Sequence, residues 1–175
     1  YALQFMNGSS IFDAVVPLDW SLSSEQQSVT SASQTKNYFG GDVAISGDYM
    51  VVGKAGEGFN ANYPGTALVY IRSGTTWALQ QTLTPSNSTN GDNFGFSVDI
   101  DGDYIVVGSY IGNTTGSATH KGGATVFARS GTTWTEEAIF NGQTLSISGT
   151  YHYFGYDVGI SGDTIIVLSL IHISE

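Results

Sequence analysis

Three tryptophans, Trp20, Trp77 and Trp134, stand at equal intervals of 57 residues. The string Arg72-Ser73-Gly74-Thr75-Thr76-Trp77 returns unchanged as Arg129-Ser130-Gly131-Thr132-Thr133-Trp134. Phe-Gly pairs recur at Phe39-Gly40, Phe94-Gly95 and Phe154-Gly155, and each is followed at the same offset by Ser46-Gly47-Asp48, Asp101-Gly102-Asp103 or Ser161-Gly162-Asp163. A chain written this way folds as one supersecondary unit used several times. Each unit is stabilised mainly by its neighbours.

Each unit holds four strand-like runs. In the first complete copy these are Gly41 to Ile45, Tyr49 to Gly53, Thr66 to Arg72 and Thr76 to Leu83. In the next they are Ser97 to Ile100, Tyr104 to Gly108, Ala124 to Arg129 and Thr133 to Phe140. Gly47-Asp48 suits a tight hairpin turn because Gly tolerates positive φ, and Ser73-Gly74 marks a second. Four antiparallel strands per repeat describe a propeller blade, so the expected fold is all-β: a β-propeller fragment of about three four-stranded antiparallel blades in an incomplete ring. No helix longer than about three turns is expected within 38–167. The tryptophan is placed between neighbouring blades, where burying its ring contributes at most about 4–6 kcal/mol.

Composition agrees and narrows the partners. Gly makes up 23 of 175 residues and charged residues only 11%, against about 25% in ordinary globular chains. Five Lys and Arg face 15 Asp and Glu, a net charge of −10, so nucleic acid and anionic membranes are poor partners. There is no cysteine to staple the fold. The apolar run Ile165 to Ile173 is far too short to span a bilayer.

The pattern Phe-Gly-x-x-Val-x-Ile-x-Gly-Asp-x-x-Val-Val-Gly resembles the FG-GAP repeat of integrin α propeller heads and many bacterial surface proteins. It is carried by Phe39, Gly40, Val43, Ile45, Gly47, Asp48, Val51, Val52 and Gly53, and by Phe94, Gly95, Val98, Ile100, Gly102, Asp103, Val106, Val107 and Gly108. A third copy has Phe154, Gly155, Val158, Ile160, Gly162, Asp163, Ile166 and Val167. The resemblance covers about residues 20–167 and is closer to the uncharacterised bacterial and marine branch. It implies a closed propeller used in adhesion or protein recognition, and an extracellular or cell-surface location.

The units divide as 1–37, the end of a preceding blade with Trp20; 38–92 and 93–152, two blades; 153–167, the start of another; and 168–175. The last stretch, Leu168 to Glu175, is similar to a translated sequencing adapter. The repeat also fails at Leu168, where Gly53 and Gly108 stand in the sister copies.

No catalytic constellation is found: neither Gly-x-Ser-x-Gly nor His-Glu-x-x-His occurs. A sialidase-type Asp box is excluded because Tyr70 and Arg72 occupy the positions of its Ser and Asp. The metal candidate is the alternating trio Asp99, Asp101 and Asp103, which could aim three carboxylates one way. Calcium needs about 6–8 oxygens, and the family's calcium-binding copies carry a later Gly and Asp that are absent here. A solvated hairpin and no cofactor are therefore expected. His120 and His152 are read as surface loop residues, while His172 lies in the adapter-like tail. Sequons stand at Asn7, Asn87 and Asn113.

The expected function is a non-catalytic recognition, adhesion or scaffolding propeller, part of a larger surface or secreted protein. The alternative is the propeller portion of a secreted polysaccharide hydrolase or lyase with its catalytic residues elsewhere. Tight turns gather on one side of the disc and long connections on the other. The long-loop face is where a protein or glycan ligand is expected, with Phe59, Tyr63, Tyr110, His120 and Tyr151 as contacts.

Overall fold

The computed structural model describes residues 2–4, 27–30, 37–56, 63–111, 121–142 and 152–170. Among these every regular element is a strand. β1 (Ala2–Gln4) pairs antiparallel with β2 (Ser28–Thr30). β3 (Asn37–Ser46), β4 (Tyr49–Gly56), β5 (Thr66–Ser73) and β6 (Thr76–Leu83) form one four-stranded meander in chain order. β7 (Ser97–Asp101), β8 (Tyr104–Ser109), β9 (Gly123–Ser130) and β10 (Thr133–Asn141) form a second. β11 (Asp157–Ser161) and β12 (Thr164–Leu168) pair alone. The fold is an all-β arc of propeller blades, an incomplete ring.

The turns follow from glycine. Gly47, Gly102 and Gly162 have φ of 58, 57 and 57°, each at the first position of a two-residue loop. Positive φ at the first central position alone is the type II′ pattern, whose twist matches that of the flanking strands. The outer hairpins turn at Gly74-Thr75 and Gly131-Thr132, because Ser73 pairs with Thr76 and Ser130 with Thr133.

Strand alternation makes each inner sheet two-sided. In β4, Val51 packs toward the next blade, in one cluster with Val98, Ile100, Ile105, Val107, Phe127 and Trp134. Its neighbours Met50 and Val52 pack the other way, with Val29, Phe39, Tyr70 and Trp77. β8 repeats this: Ile105 and Val107 face back, and Val106 faces Val158, Ile160, Ile165 and Val167. Both described tryptophans are buried, each in the cluster that joins its blade to the one before. Trp20 lies outside the described residues.

The Phe-Gly pairs mark where the backbones of adjacent blades touch. Gly65 and Phe94 form a parallel bridge, as do Gly122 and Phe154. A Cβ on Gly53 would lie 2.2 Å from the Gly95 carbonyl oxygen, and one on Gly108 2.2 Å from that of Gly155. No side chain fits there, so the motif's glycines are a requirement of blade stacking. Leu168 occupies the corresponding place in β12, where it pairs with Asp157; residues 171–175 of the tail lie outside the described residues.

Candidate functional site

Inner strands β3, β7 and β11 run side by side, so the residues that begin them share one mouth. This is the end of the sheets opposite the tight turns, where the long connections lie. The positions flanking each Phe-Gly pair vary: Tyr38 and Gly41, Asn93 and Phe96, Tyr153 and Tyr156. Together they place four aromatic rings at the mouth, and Tyr110, just after β8, adds a fifth.

Phe96 sits with its ring centroid 4.3 Å from Tyr110 and 5.2 Å from Tyr156. Tyr110 lies 5.5 Å from Tyr156 and 6.0 Å from Tyr153. A cleft of about 450 Å³ opens here, lined by Tyr38, Asp42, Phe96, Tyr156, Asp157 and Leu168 among others. Tyr38 and Tyr156 keep 47% and 38% of their surface exposed, so their rings are available to a ligand.

The backbone supports the cluster at a cost. Asn93 and Tyr153 adopt left-handed φ of 56 and 48°. Asn tolerates that region, whereas a bulky Tyr there is strained. The Asn93 Oδ1 is buried without a hydrogen-bond partner. Burial raises the Tyr110 phenol above its usual range. The neighbouring Tyr156, Tyr38 and Tyr153 add to the rise, and a hydrogen bond with the Asn93 side chain opposes it.

Asp42 ties two blades together at the cleft wall. Its Oδ2 accepts from the Val98 N–H at 2.7 Å, and its Oδ1 from the Val43 N–H at 2.9 Å. Burial pushes its carboxyl above the usual carboxylate range. The two N–H bonds pull it down, and the charges of Asp157 and Asp99 push it further up.

The three aspartates considered for calcium each have a protein partner. Asp99 accepts from the Ile160 N–H at 2.7 Å and the Ile100 N–H at 2.9 Å. Asp101 accepts from the Gly162 N–H at 2.7 Å, the place taken by Ser46 on Gly102 one blade earlier. Asp103 pairs with Arg129, as Asp48 does with Arg72. No group of three or more His, Cys, Asp or Glu gathers as a metal site among the described residues.

Of the expected contact residues, Tyr110 joins the aromatic cluster. Tyr63 is 56% exposed on the same face but outside the cleft lining. Phe59, His120 and Tyr151, with Asn7 and Asn113, lie outside the described residues. The expectation for His152 is corrected: it is fully buried, and neither ring nitrogen has a hydrogen-bond partner. It sits two residues before Phe154, and its sister Asp92, two before Phe94, is also buried, so this position points inward in both repeats. Tyr38, Asp42, Phe96, Tyr156 and Asp157 were not anticipated. The signal that could have found them is the run of aromatics at the variable positions beside an otherwise constant Phe-Gly.

Four-stranded antiparallel units stacked around their first strands, with a cleft at the mouth, define a β-propeller-type domain. The model of the FG-GAP repeat matches residues 24–70 and 77–127, more than half of the chain, and the protein belongs to that family. No curated protein matches it. Among the described residues no helix is long and apolar enough to cross a membrane.

Proposed function

We propose that this protein is an extracellular recognition propeller that captures its partner at the mouth of the inner strands, on the long-loop face. The observation that carries the proposal is the exposed aromatic rim: Tyr38 and Tyr156 line one cleft with Phe96 and keep much of their surface exposed, and Tyr156 packs on Phe96 and Tyr110. Large exposed rings rimming a concavity favour binding, because they bring much contact area with little rotamer entropy to lose.

The test compares capture on glycan and protein arrays by the chain, by Tyr38→Ser with Tyr156→Ser, and by Thr75→Arg with Thr132→Arg on the tight-turn face. Loss with the first pair and retention with the second is expected. Loss only with the second pair would place binding on the opposite face.

A further inference from the structure

The cleft at the mouth combines ring faces with negative charge. Tyr38, Phe96 and Tyr156 line it together with Asp42 and Asp157, and no Lys, Arg or His is among its lining residues. Phe96 and Tyr156 stand at 52° to each other with centroids 5.2 Å apart, two walls of a corner. The ring faces of aromatic residues are electronegative and attract a cation within about 6 Å of the centroid. The carboxylates act in the same sense. Asp42 also feels Asp157 and Asp99 as like charges, so a cation entering the cleft relieves repulsion among them.

Hydrogen bonding selects among cations. Both oxygens of Asp42 already accept backbone N–H groups, from Val98 and Val43. Asp157 Oδ1 accepts from the Val158 N–H at 3.0 Å. Three of the four carboxylate oxygens in the cleft are thus engaged. A primary ammonium or a guanidinium carries several donors, and each would lose water on entry and need an acceptor. A quaternary ammonium carries the charge on an apolar, methylated surface and has no donor to satisfy. The guanidinium over rings elsewhere in the molecule has what this cleft lacks: Arg129 lies 4.3 Å from the Tyr49 ring centroid and 5.6 Å from that of Trp134, and its terminal nitrogens donate to the Tyr49 hydroxyl, the Gly131 carbonyl and Asp103.

We propose that the aromatic cleft formed by Tyr38, Phe96 and Tyr156, with the charges of Asp42 and Asp157, binds a trimethylammonium group. This rests on the reading of the long-loop face as the binding face. The group arrives on a small choline-like solute, whose size suits a cleft of about 450 Å³.

Titration calorimetry on the chain tests this with choline, its neutral tert-butyl isostere, phosphatidylcholine vesicles and a trimethyllysine peptide. Choline binds, and the neutral isostere binds about tenfold or more weakly, because it keeps the shape and loses the charge. Tyr156→Ser and Asp157→Asn each weaken binding, and circular dichroism confirms that both variants stay folded. Tighter binding of the vesicles or of the trimethyllysine peptide than of choline overturns the free solute as occupant. Equal affinity for choline and the isostere overturns the proposal, and so does no binding of any trimethylammonium probe. If those probes fail while array capture still depends on Tyr156, only the ligand class falls. If capture is indifferent to the mouth substitutions, the recognition reading falls with it.

Discussion

The carboxamide of Gln81 closes a two-point clasp on the backbone of Trp134. Its Nε2 donates to the Trp134 carbonyl at 2.7 Å, and the Trp134 N–H donates to its Oε1 at 2.9 Å. Gln27 clasps Trp77 in the same way, at 2.8 and 2.7 Å. A β-bulge supplies the geometry. The β5–β6 register skips Gln80, so Gln80 and Gln81 both reach the next blade, and Gln80 accepts from Trp134 Nε1 at 3.0 Å.

Gln81→Ala removes both bonds and leaves the Trp134 backbone groups unpaired in a seam. A loss of about 1–3 kcal/mol is expected from the midpoint of urea unfolding. Gln81→Glu keeps the acceptor and loses the donor, so it should fall between wild type and the alanine variant.

Two glycines with positive φ should respond very differently to alanine. At Gly74, φ is 61° and nothing lies within 4 Å of the added Cβ, so Gly74→Ala should cost about 1–2 kcal/mol for the left-handed backbone alone. At Gly95, φ is 84° and the Cβ would stand 2.2 Å from the Thr66 carbonyl oxygen. Gly95→Ala should therefore prevent stable docking of the second blade, read as loss of the cooperative thermal transition. A Gly95→Ala protein as stable as Gly74→Ala would refute the close approach.

Asp42 makes stability depend on pH in the opposite sense to a salt-bridged carboxylate. Its folded pKa is raised from 3.8, chiefly by burial. The folded state therefore holds the proton more tightly than the unfolded state. Its contribution is full below the unfolded value and is lost as pH rises through the raised folded value. The stability of wild type relative to Asp42→Asn should fall across that window and then stay level to neutral pH. Paired denaturation curves between pH 3 and pH 7 read it directly; a difference that grows with pH would contradict the sign.

Calcium should leave the protein unchanged, because Asp99, Asp101 and Asp103 already serve Ile160, Gly162 and Arg129. A ligand at a hundred times its Kd would add about 2.7 kcal/mol, or roughly 5–10 °C in Tm for a chain of this size. Scanning calorimetry with calcium and with chelator should show no such shift. Asp99→Ala should lower Tm in both conditions alike.

Much of the blade was legible because its determinants are local. Alternation in Tyr49 to Gly53 set the strand, Gly47 and Gly102 set the turns, and the recurring Trp marked an outer strand. The cleft was less legible because its residues come from three different repeats. Tyr38, Phe96 and Tyr156 are neighbours only after β3, β7 and β11 align.

Tyr49 and Tyr104 separate what the sequence determined from what the tertiary structure decided. They occupy the same position in successive repeats, each opening a second strand after a Gly-Asp turn, and the sequence determined both placements through turn chemistry and a two-residue period. Tyr49 is half-buried beneath Arg129 and Trp134, with its hydroxyl accepting from Arg129 at 3.1 Å. Tyr104 is 42% exposed, beside an open cleft formed with Val126, Phe140 and Ile160. The positions 80 and 85 residues beyond Tyr104 lie past residue 175, so no counterpart of Arg129 or Trp134 is present to cover it. The aromatic and cationic partners of Tyr49 come from 80 and 85 residues farther along the chain, brought there by blade stacking. Local pattern fixes a strand's face and turn, but the partner across a seam depends on which blade docks there.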